Sequence, residues 1–431
     1  MPKPIVCISV SLCQFCEAFR SCFSKRQWKY FVIVLLGLIE CEQRRTLSGL
    51  LANIGERVSL CGLSRFFNRW DWRMEEIARI WLGRFHQQLQ PEVEAEHSHQ
   101  ETEREKRRGR PKKTVVTGYL IFDDSVHVKP RGRKMQGLGQ HYSSTEQRVV
   151  TGHSLLSGLY VLLGRRCPLQ PRLYRQRSVC KEENTPFHSK IDLVLQEIGQ
   201  FEPVEGTQTH VLIDSWFHCK TVRKAAQERG WEVSGGLKSN RKMRLIDPDG
   251  TRRWITLAEY ASKLQPADWQ EASWPAREGG QKLYVHSLRT HIRKLGPVRL
   301  LITCQDVKAS TKSFRYWGAT LLDADAQAVV DILAIRWSIE VFFEEAKDLL
   351  GSDHYQLMTA EAILRFWTLI TCLACFLEEQ RAAHAHLATW GDVRRTIQQE
   401  HQHNLLFWLQ AQFQAGLTPQ QIGSQLSLSS C

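Results

Sequence analysis

The stretch "ILAIRWSIEVFFEEAKDLLG", from Ile332 to Gly351, decides the fold of this chain. Its apolar side chains recur every three or four residues, which predicts one amphipathic helix with a single buried face. The same stretch carries four carboxylates, and an acid held beside a buried face needs a compensating partner. These carboxylates belong to Glu340, Glu344, Glu345 and Asp348.

The angular positions of the four acids distinguish them. At about 100° per residue, Arg336, Glu340 and Lys347 lie together at the edge of the apolar stripe. Glu345 and Asp348 point toward solvent, so Glu340 ranks first among the four. A carboxylate between two cations is expected to stay ionised. The alternative is an ordinary helix surface with ion pairs between neighbouring turns.

Further acids follow two apolar stretches that predict strands of one mixed sheet. "LIFDDS" ends in Asp123 and Asp124, and "VLIDSW" contains Asp214. If these carboxylates converge with Glu340, they form an oxygen-rich site that suits Mg²⁺, with Mn²⁺ as a substitute. The alternative is that they cap turns. Because neighbouring side chains of a strand point to opposite faces, we expect only one of the two, Asp123 or its alternative Asp124, to face the metal.

The overall composition favours a nucleic-acid partner. The chain has 431 residues and a formal net charge of +13, which favours binding to a polyanion. The longest apolar run, "YFVIVLLGLI", is too short to cross a bilayer, so no membrane partner is expected. Thirteen cysteines lie scattered through apolar segments, which is typical of free thiols in a reducing compartment. We therefore expect an intracellular, cytoplasmic protein.

Residues 1–90 are predicted to be helical. Two short helices joined by a tight turn, the second with Arg65 and Arg69, favour a DNA-binding helix-turn-helix. A plain helical bundle with surface arginines is an equal alternative. Residues 91–114 lose all apolar periodicity and predict a basic linker. Its "RGRP" resembles an AT-hook, whose Arg108 and Arg110 would enter the minor groove; a solvated charged linker is the alternative.

The remaining segments predict a mixed α/β fold. Strands and helices alternate through the first part of the predicted core, and short strands rich in basic and aromatic residues follow. The chain then returns to helices. The predicted regions are a first core part at 115–238, a β-rich insertion at 239–315, a second core part with the Glu340 helix at 316–380, and a helical C-terminal region at 381–431.

The spacing Arg336-x3-Glu340-x6-Lys347 resembles the R-x3-E-x6-K part of the Y-x2-R-x3-E-x6-K signature of DDE insertion-sequence transposases. The resemblance is strongest to the IS-seven-hundred-and-one group of the IS-four-like superfamily. "FDDSVHVKPRGRKMQGLGQHYSST" resembles the segment of the first aspartate in that group, and "VLIDSWF" resembles its second-aspartate strand. "SDHYQLMTAEAILRFW" and "RRTLSGLLANIGERVSLCGLSRFFNRWDW" resemble the following helix and the amino-terminal helical domain.

This resemblance implies a ribonuclease H-like core in which Asp123, Asp214 and Glu340 are catalytic and bind Mg²⁺. It also implies a bacterial insertion-sequence transposase that binds terminal inverted repeats, hydrolyses phosphodiesters and transfers the 3′-hydroxyl end to a target. The partners would be double-stranded DNA and a second copy of the chain on paired ends. Contacts to DNA phosphates are expected from Arg336, Lys347 and Lys129.

One departure from the family signature stands out. The position of the signature tyrosine is Leu333, so a contact from that hydroxyl is absent or supplied elsewhere. Two alternatives to a transposase follow from the same residues. One is a DNA nuclease on the same fold, and the other is an inactive or domesticated DNA-binding relative.

Overall fold

The structure is a computed structural model that describes residues 8–52, 58–106, 115–247, 249–275 and 280–426. Its helices are α1 (Val10–Glu17), α2 (Lys25–Glu40), α3 (Leu47–Ala52), α4 (Leu60–Asn68), α5 (Met74–Lys106), α6 (Arg177–Glu182), α7 (Lys190–Gln200), α8 (Lys220–Glu228), α9 (Leu257–Ala261), α10 (Ala326–Ile335), α11 (Ser338–Asp348), α12 (Ala360–Ala383), α13 (Trp390–Gln414) and α14 (Pro419–Gln425). Its strands are β1 (Thr117–Val128), β2 (Gly139–Ser143), β3 (Arg148–Leu162), β4 (Arg165–Pro168), β5 (Arg172–Tyr174), β6 (Gln208–Ile213), β7 (Glu232–Leu237), β8 (Lys242–Ile246), β9 (Arg252–Thr256), β10 (Gln270–Trp274), β11 (Gln281–Ile292), β12 (Gly296–Cys304) and β13 (Arg315–Ala319).

All the strands belong to one mixed sheet. Its order is β2-β3-β1-β6-β7-β13-β12-β11-β8-β9, with β4 and β5 paired to β3 and β10 paired to β11. Strands β1, β6 and β7 run parallel, and the other pairings are antiparallel. Helices flank this sheet, so the predicted mixed α/β class is confirmed. The parallel arrangement brings the carboxyl end of β6 beside the middle of β1, where the acids lie.

The two faces of β1 receive different helices. The ring of His127 packs edge-on against Trp367 of α12, with 5.2 Å between ring centroids. On the opposite face, Leu120 pairs with Tyr160, whose ring lies 4.9 Å from that of Phe201 at the end of α7. Since side chains alternate along a strand, the odd-numbered residues of β1 face α12 and the even-numbered ones face α7.

The amino-terminal helices share their core with the sheet. The rings of Phe15 in α1 and Phe376 in α12 lie 5.1 Å apart, and buried apolar residues continue from there to β1. The Arg365 guanidinium donates a hydrogen bond of 2.9 Å to the backbone carbonyl of Phe67 at the end of α4. Residues before 90 therefore pack as part of the main body, whatever their role in DNA binding.

Helix α12 lies at the centre of this packing. Within the described residues it is the one helix long and apolar enough to cross a bilayer, yet 83% of its most apolar window is buried inside the protein. Burial of this kind is typical of the central helix of a large globular core.

The linker predicted from residue 91 is wrong for its first part, because α5 continues to Lys106. Pro91 lies inside the helix, and Leu89 and Val93 beside it are fully buried. Gln90 donates a hydrogen bond to Glu94 one turn later, at 3.0 Å. Tertiary packing therefore outweighs the local cost of the proline. The "RGRP" segment lies outside the described residues.

The predicted β-rich region extends the main sheet. Strands β8, β11 and β12 continue it beyond β13, and they enclose a second apolar core around Met243, Ile292 and Leu300. The boundaries predicted for this region remain a prediction, because its strands are hydrogen-bonded to the rest of the sheet through β12 and β13.

Two local expectations about the acid-bearing elements are corrected. Strand β1 does not end at Asp123 and Asp124 but continues to Val128, because β3 pairs with it along that whole length. The helix predicted over residues 332–351 is divided into α10 and α11 by a tight turn at Arg336 and Trp337. In that turn the Arg336 amide donates to the carbonyl of Leu333, three residues earlier. The break turns Arg336 toward β1.

Candidate active site

Asp123 lies in the middle of β1, on the face that receives α11. Its Oδ2 accepts a hydrogen bond of 3.3 Å from Nη1 of Arg336, and its Oδ1 accepts one of 2.8 Å from the amide of Asp124. Burial raises the pKa of Asp123 to about 7, the nearby charge of Asp214 adds to the rise, and Arg336 opposes it. The nearby cation, Arg336, therefore does not fully offset the effects of burial and of Asp214 on the ionised Asp123 carboxylate.

Asp214 is the first residue after β6. Its Oδ1 accepts hydrogen bonds of 2.9 Å from the amides of both Trp216 and Phe217. Burial raises the pKa of Asp214, and these two amides partly offset the rise. The turn-capping alternative thus describes one carboxylate oxygen of Asp214. A carboxylate can cap a turn through one oxygen and bind a metal ion through the other, since each oxygen has its own lone pairs.

Glu340 lies in the first turn of α11 and meets Asp123 through Arg336. Nη2 of Arg336 donates a hydrogen bond of 2.5 Å to Oε1 of Glu340. The Arg336 side chain is 14% exposed. One guanidinium therefore holds carboxylates from a strand and a helix that are 217 positions apart (340 − 123) in the chain. Asp214 and Arg336 line the same cavity, of about 440 Å³. The structure thus joins Asp123 and Glu340 through Arg336 and places Asp214 in the lining of the cavity that Arg336 also lines.

Asp124 faces the other side of β1, as strand alternation predicts. Its Oδ2 accepts hydrogen bonds from Nζ of Lys190 at 2.7 Å and from Oγ of Ser154 at 3.1 Å. Lys190 is the first residue of α7, on the face opposite α11. This pairing favours Asp123 over Asp124 as the acid that acts with Glu340.

The predicted phosphate contacts lie in different environments. Lys347 is half-buried two turns beyond Glu340, where burial lowers the pKa of its ammonium and Asp353 opposes the change. Lys129 is 7% exposed, and its ammonium donates to the backbone carbonyls of Asp353 and Tyr355, the latter at 2.8 Å. A DNA contact from Lys129 stays a prediction that its placement does not favour. Its observed partners instead fix the loop after α11 to the end of β1.

Two of the other predicted DNA contacts belong to the amino-terminal helices. Arg65 and Arg69 are exposed on α4 and at its carboxyl end, where a polyanion could approach them. Arg108 and Arg110 lie outside the described residues. The helix-turn-helix and the AT-hook therefore remain predictions.

One acid of α11 was assigned to the wrong surface. Glu345 was expected to point to solvent, but its Oε2 accepts a hydrogen bond of 2.8 Å from Nη1 of Arg166, and its side chain is 15% exposed. Arg166 also contacts the buried Glu378 at 3.2 Å. The helical wheel could not show that β4 approaches this side of α11. Asp348 is exposed, as expected.

An open groove runs from Arg336 along α11. Its volume is about 1340 Å³, and its lining includes Trp274, Trp317, Trp337 and Arg315. Arg315, Trp317 and Arg336 also line the cavity at Asp214, so the two spaces adjoin. Planar aromatic rings and a guanidinium in an open groove suit stacking on nucleobases and contact with phosphates.

Sequence reasoning missed several side chains at the site. Trp216, two residues after Asp214, is 48% exposed, and the Lys190 ammonium lies 5.7 Å from its ring centroid. Trp337 is 56% exposed directly after Arg336. Both tryptophans could have been found from the sequence, since "DSW" and "RWSIE" place a tryptophan within two residues of a candidate site residue. Nothing in the sequence pointed to Lys190, which meets β1 only through the fold.

The residues fit a divalent cation by their chemistry. Within the described ranges, no group of three or more His, Cys, Asp or Glu side chains lies close enough together to hold a metal ion. Asp123 and Asp214 are nevertheless buried carboxylates with raised pKa values, and Arg336 already draws Asp123 and Glu340 toward one positive charge. Hard carboxylate oxygens of this kind are the ligands that Mg²⁺ prefers.

Comparison with known protein families agrees with this geometry. The family described as DDE superfamily endonuclease matches residues 18–282, and the family described as transposase DDE domain matches residues 189–376. The first match covers more than half of the chain, so the protein belongs to the DDE superfamily of endonucleases. None of the curated proteins matches it. The match supports the resemblance to DDE transposases and implies a nuclease-type enzyme that acts on DNA.

Proposed function

We propose that this protein is the DNA transposase of a bacterial insertion sequence, acting by cut-and-paste transposition. The observation that carries the proposal is the convergence of Asp123 and Glu340 on Arg336, beside the cavity that Asp214 lines. In the proposal these acids are the catalytic set of a ribonuclease H-like core that residues 239–315 interrupt. Within its superfamily we place the protein in the IS-seven-hundred-and-one group of IS-four-like elements.

Asp123, Asp214 and Glu340 would hold Mg²⁺, or Mn²⁺ in its place. Bound there, the cation would activate an attacking oxygen and stabilise the leaving oxygen during cleavage of a phosphodiester. The fixed positions of Asp123 on a central strand and of Asp214 in a capped turn keep these carboxylates from moving apart. Such preorganisation matters because small displacements of reacting groups are costly.

Arg336 is proposed to contact the phosphate next to the cut. It lies between the acids and the large groove, and a guanidinium can bind two phosphate oxygens at once. Trp337 and Arg315 extend the same groove, whose volume is about 1340 Å³. Water, and later a 3′-hydroxyl end, would reach the phosphodiester from this open side.

The wider assignment follows from charge and from the family. The net charge of +13 favours DNA as the partner, and we propose that the exposed Arg65 and Arg69 contribute to recognition of the terminal inverted repeats. The protein would act as a homodimer on paired ends, in the cytoplasm at the nucleoid. The buried position of Leu333 in the core of α10 is consistent with the absence of a tyrosine contact there.

The proposal is tested with a plasmid that carries the gene's own flanking DNA. Purified protein, Mg²⁺, this donor plasmid and a second target plasmid are incubated, and the products are sequenced. Joined donor ends in the target, lost with Glu340→Gln, would support transposition. The matched control is Glu344→Gln, one turn along the same helix on an exposed position.

Other outcomes separate the alternatives. Cleavage without any joined product would identify a nuclease on the same fold. Binding to the ends without cleavage by the wild-type protein would identify an inactive DNA-binding relative. Cleavage by Glu340→Gln at the wild-type rate would overturn the assignment of the site.

A further inference from the structure

The ammonium of Lys129 is buried against neutral acceptors, directly after the end of β1. It donates hydrogen bonds to the backbone carbonyls of Asp353 and Tyr355, the latter at 2.8 Å, and lies 3.6 Å from the centroid of the Tyr355 ring. Burial lowers the pKa of Lys129 to about 8, and the charge of Asp353 only partly opposes the change. Burying a cation in this way is unfavourable, so the contacts that it makes call for an explanation.

The loop that receives this ammonium is fixed to the carboxyl end of α11. The amide of Gly351 donates a hydrogen bond of 2.9 Å to the carbonyl of Lys347, and the amide of Ser352 donates one of 2.9 Å to the carbonyl of Ala346. These bonds satisfy carbonyls of the last helical turn. The φ of Gly351 is 64°, a conformation that glycine adopts without strain. A contact that holds the loop therefore also holds the end of the helix.

Helix α11 is thus tied to β1 at both of its ends. At its start, Arg336 donates a hydrogen bond of 3.3 Å to Asp123 and also contacts Glu340. Beyond its end, Lys129 holds the loop. Asp123 and Lys129 are six positions apart (129 − 123), which is about 20 Å along an extended strand. The 11 residues of α11 span about 16 Å, so the two contacts bracket the whole helix.

We infer that Lys129 is a positioning residue, which holds α11 so that Glu340 stays within reach of a cation bound by Asp123. The inference rests on the proposed metal site. At the near end of the helix, Glu340 meets Asp123 through Arg336, and a bound cation would compete with that guanidinium for both carboxylates. When the cation displaces Arg336, the contact at Lys129 keeps the helix beside the strand. Lys129 thus acts on the metal through Glu340, without contact to metal or DNA.

The inference is tested with Lys129→Met, which keeps the length of the side chain and removes the ammonium. Hydrogen exchange of the metal-free protein should show faster exchange of the α11 amides in this variant than in the wild type. Electron paramagnetic resonance of free Mn²⁺ should show affinity about tenfold weaker, as is usual when a group that orients a metal ligand is lost. The affinity for a DNA fragment from the donor end, measured without divalent cations, should stay unchanged.

The matched control is Tyr355→Phe, in the same loop. It keeps the ring beside Lys129 and removes the hydrogen bond of 2.7 Å between the Tyr355 hydroxyl and Nδ1 of His153. The melting temperature should fall, because the buried ring nitrogen loses its partner, but the affinity for Mn²⁺ should change by less than about twofold. Equal losses of Mn²⁺ affinity in the two variants would overturn the inference, since affinity would then follow the stability of the loop.

Two other results would also overturn the inference. Unchanged exchange of the α11 amides in Lys129→Met would show that the ammonium does not hold the helix. Weaker DNA binding by this variant, with a salt dependence shallower by about one unit, would assign Lys129 to a DNA phosphate. Failure of the proposed metal site is distinguishable, because Glu340→Gln would then leave Mn²⁺ binding unchanged while the exchange of α11 still responds to Lys129→Met.

Discussion

At the scale of single residues, the site is defined by the two faces of one strand. Asp123 and Asp124 are adjacent, yet one contacts Arg336 and the other contacts Lys190. Asp124 therefore serves to anchor α7, while Asp123 shares a buried environment with Asp214 and Glu340. Strand alternation predicted that only one of the two would face the site, and their observed partners favour Asp123.

The two aspartates should differ in substitution experiments. Asp123→Asn removes a carboxylate from the proposed catalytic set and should lower the rate of DNA cleavage by at least 10²-fold, or about 2.7 kcal/mol of transition-state stabilisation. Asp124→Asn keeps a hydrogen-bond acceptor for Lys190 and should reduce the rate far less. Both rates are measured on the donor plasmid under single-turnover conditions. Equal losses, or a larger loss with Asp124→Asn, would exchange the two roles.

Arg336 should compete with a divalent cation for the acids. Arg336→Gln removes the positive charge that contacts Asp123 and Glu340, so Mn²⁺ should bind the protein about tenfold more tightly, a gain of about 1.4 kcal/mol. Electron paramagnetic resonance of free Mn²⁺ measures this affinity without any catalysis. Lys347→Gln is the control, because the acidic partners of Lys347 are Asp353 and Asp348. Weaker Mn²⁺ binding by Arg336→Gln would show that the guanidinium assists the cation instead.

At the scale of elements, the sequence identified the type of most elements and missed contacts between them. The strand before Asp214 and the helices α7 and α8 were predicted from periodicity, because each buries one regular face. The continuation of α5 beyond Pro91 was missed, since its evidence is the burial of Leu89 and Val93 by distant strands. The division between α10 and α11 was missed for the same reason: the turn at Arg336 depends on acids elsewhere in the chain.

The ion pair between Glu345 and Arg166 allows the contribution of one such contact to the free energy of unfolding to be measured. Glu345→Gln should lower the free energy of unfolding by about 1–3 kcal/mol, because it removes a charge from the buried pair with Arg166 while Glu378 still compensates part of it. Glu344→Gln, at an exposed position of the same helix, should change it by less than about 0.5 kcal/mol. Chemical denaturation of both variants measures the difference. Equal effects would mean that the Arg166 contact adds nothing to stability.

At the scale of the whole molecule, buried histidines should make the fold sensitive to acid. Burial lowers the pKa of His153 and His218 to about 4, and that of His210 to about 3. These values lie below the 6.5 of the unfolded chain, so the stability that the neutral rings contribute is lost as pH falls from 6.5 toward 4. Each such proton changes stability by up to about 1.4 kcal/mol per pH unit.

Asp123 changes the pH dependence of stability in the direction opposite to the buried histidines, and the two contributions can be measured separately. Its pKa of about 7 lies above its unfolded value of 3.8, so its contribution to stability is lost as pH rises through 7. Between pH 4 and 6.5, His153→Gln should therefore make the dependence of the melting temperature on pH shallower, and Asp123→Asn should make it steeper. Calorimetry of the three proteins across this range tests both signs. Parallel curves for wild type and variants would contradict them.

Helices that lie far apart in the sequence, α1 and α13, meet in the folded protein, and this orders events during its synthesis. The amide of Ser9, just before α1, donates a hydrogen bond of 3.0 Å to Nε2 of His401 in α13, and Nδ1 of that ring donates one of 2.8 Å to Glu40. The first helices also need α12 to bury their apolar faces. Since α1 and α2 are synthesised long before α12, they must wait for it before they can pack. Until then it remains a client for chaperones, and a transcript broken before α12 would yield a fragment to be degraded rather than a competitor for DNA.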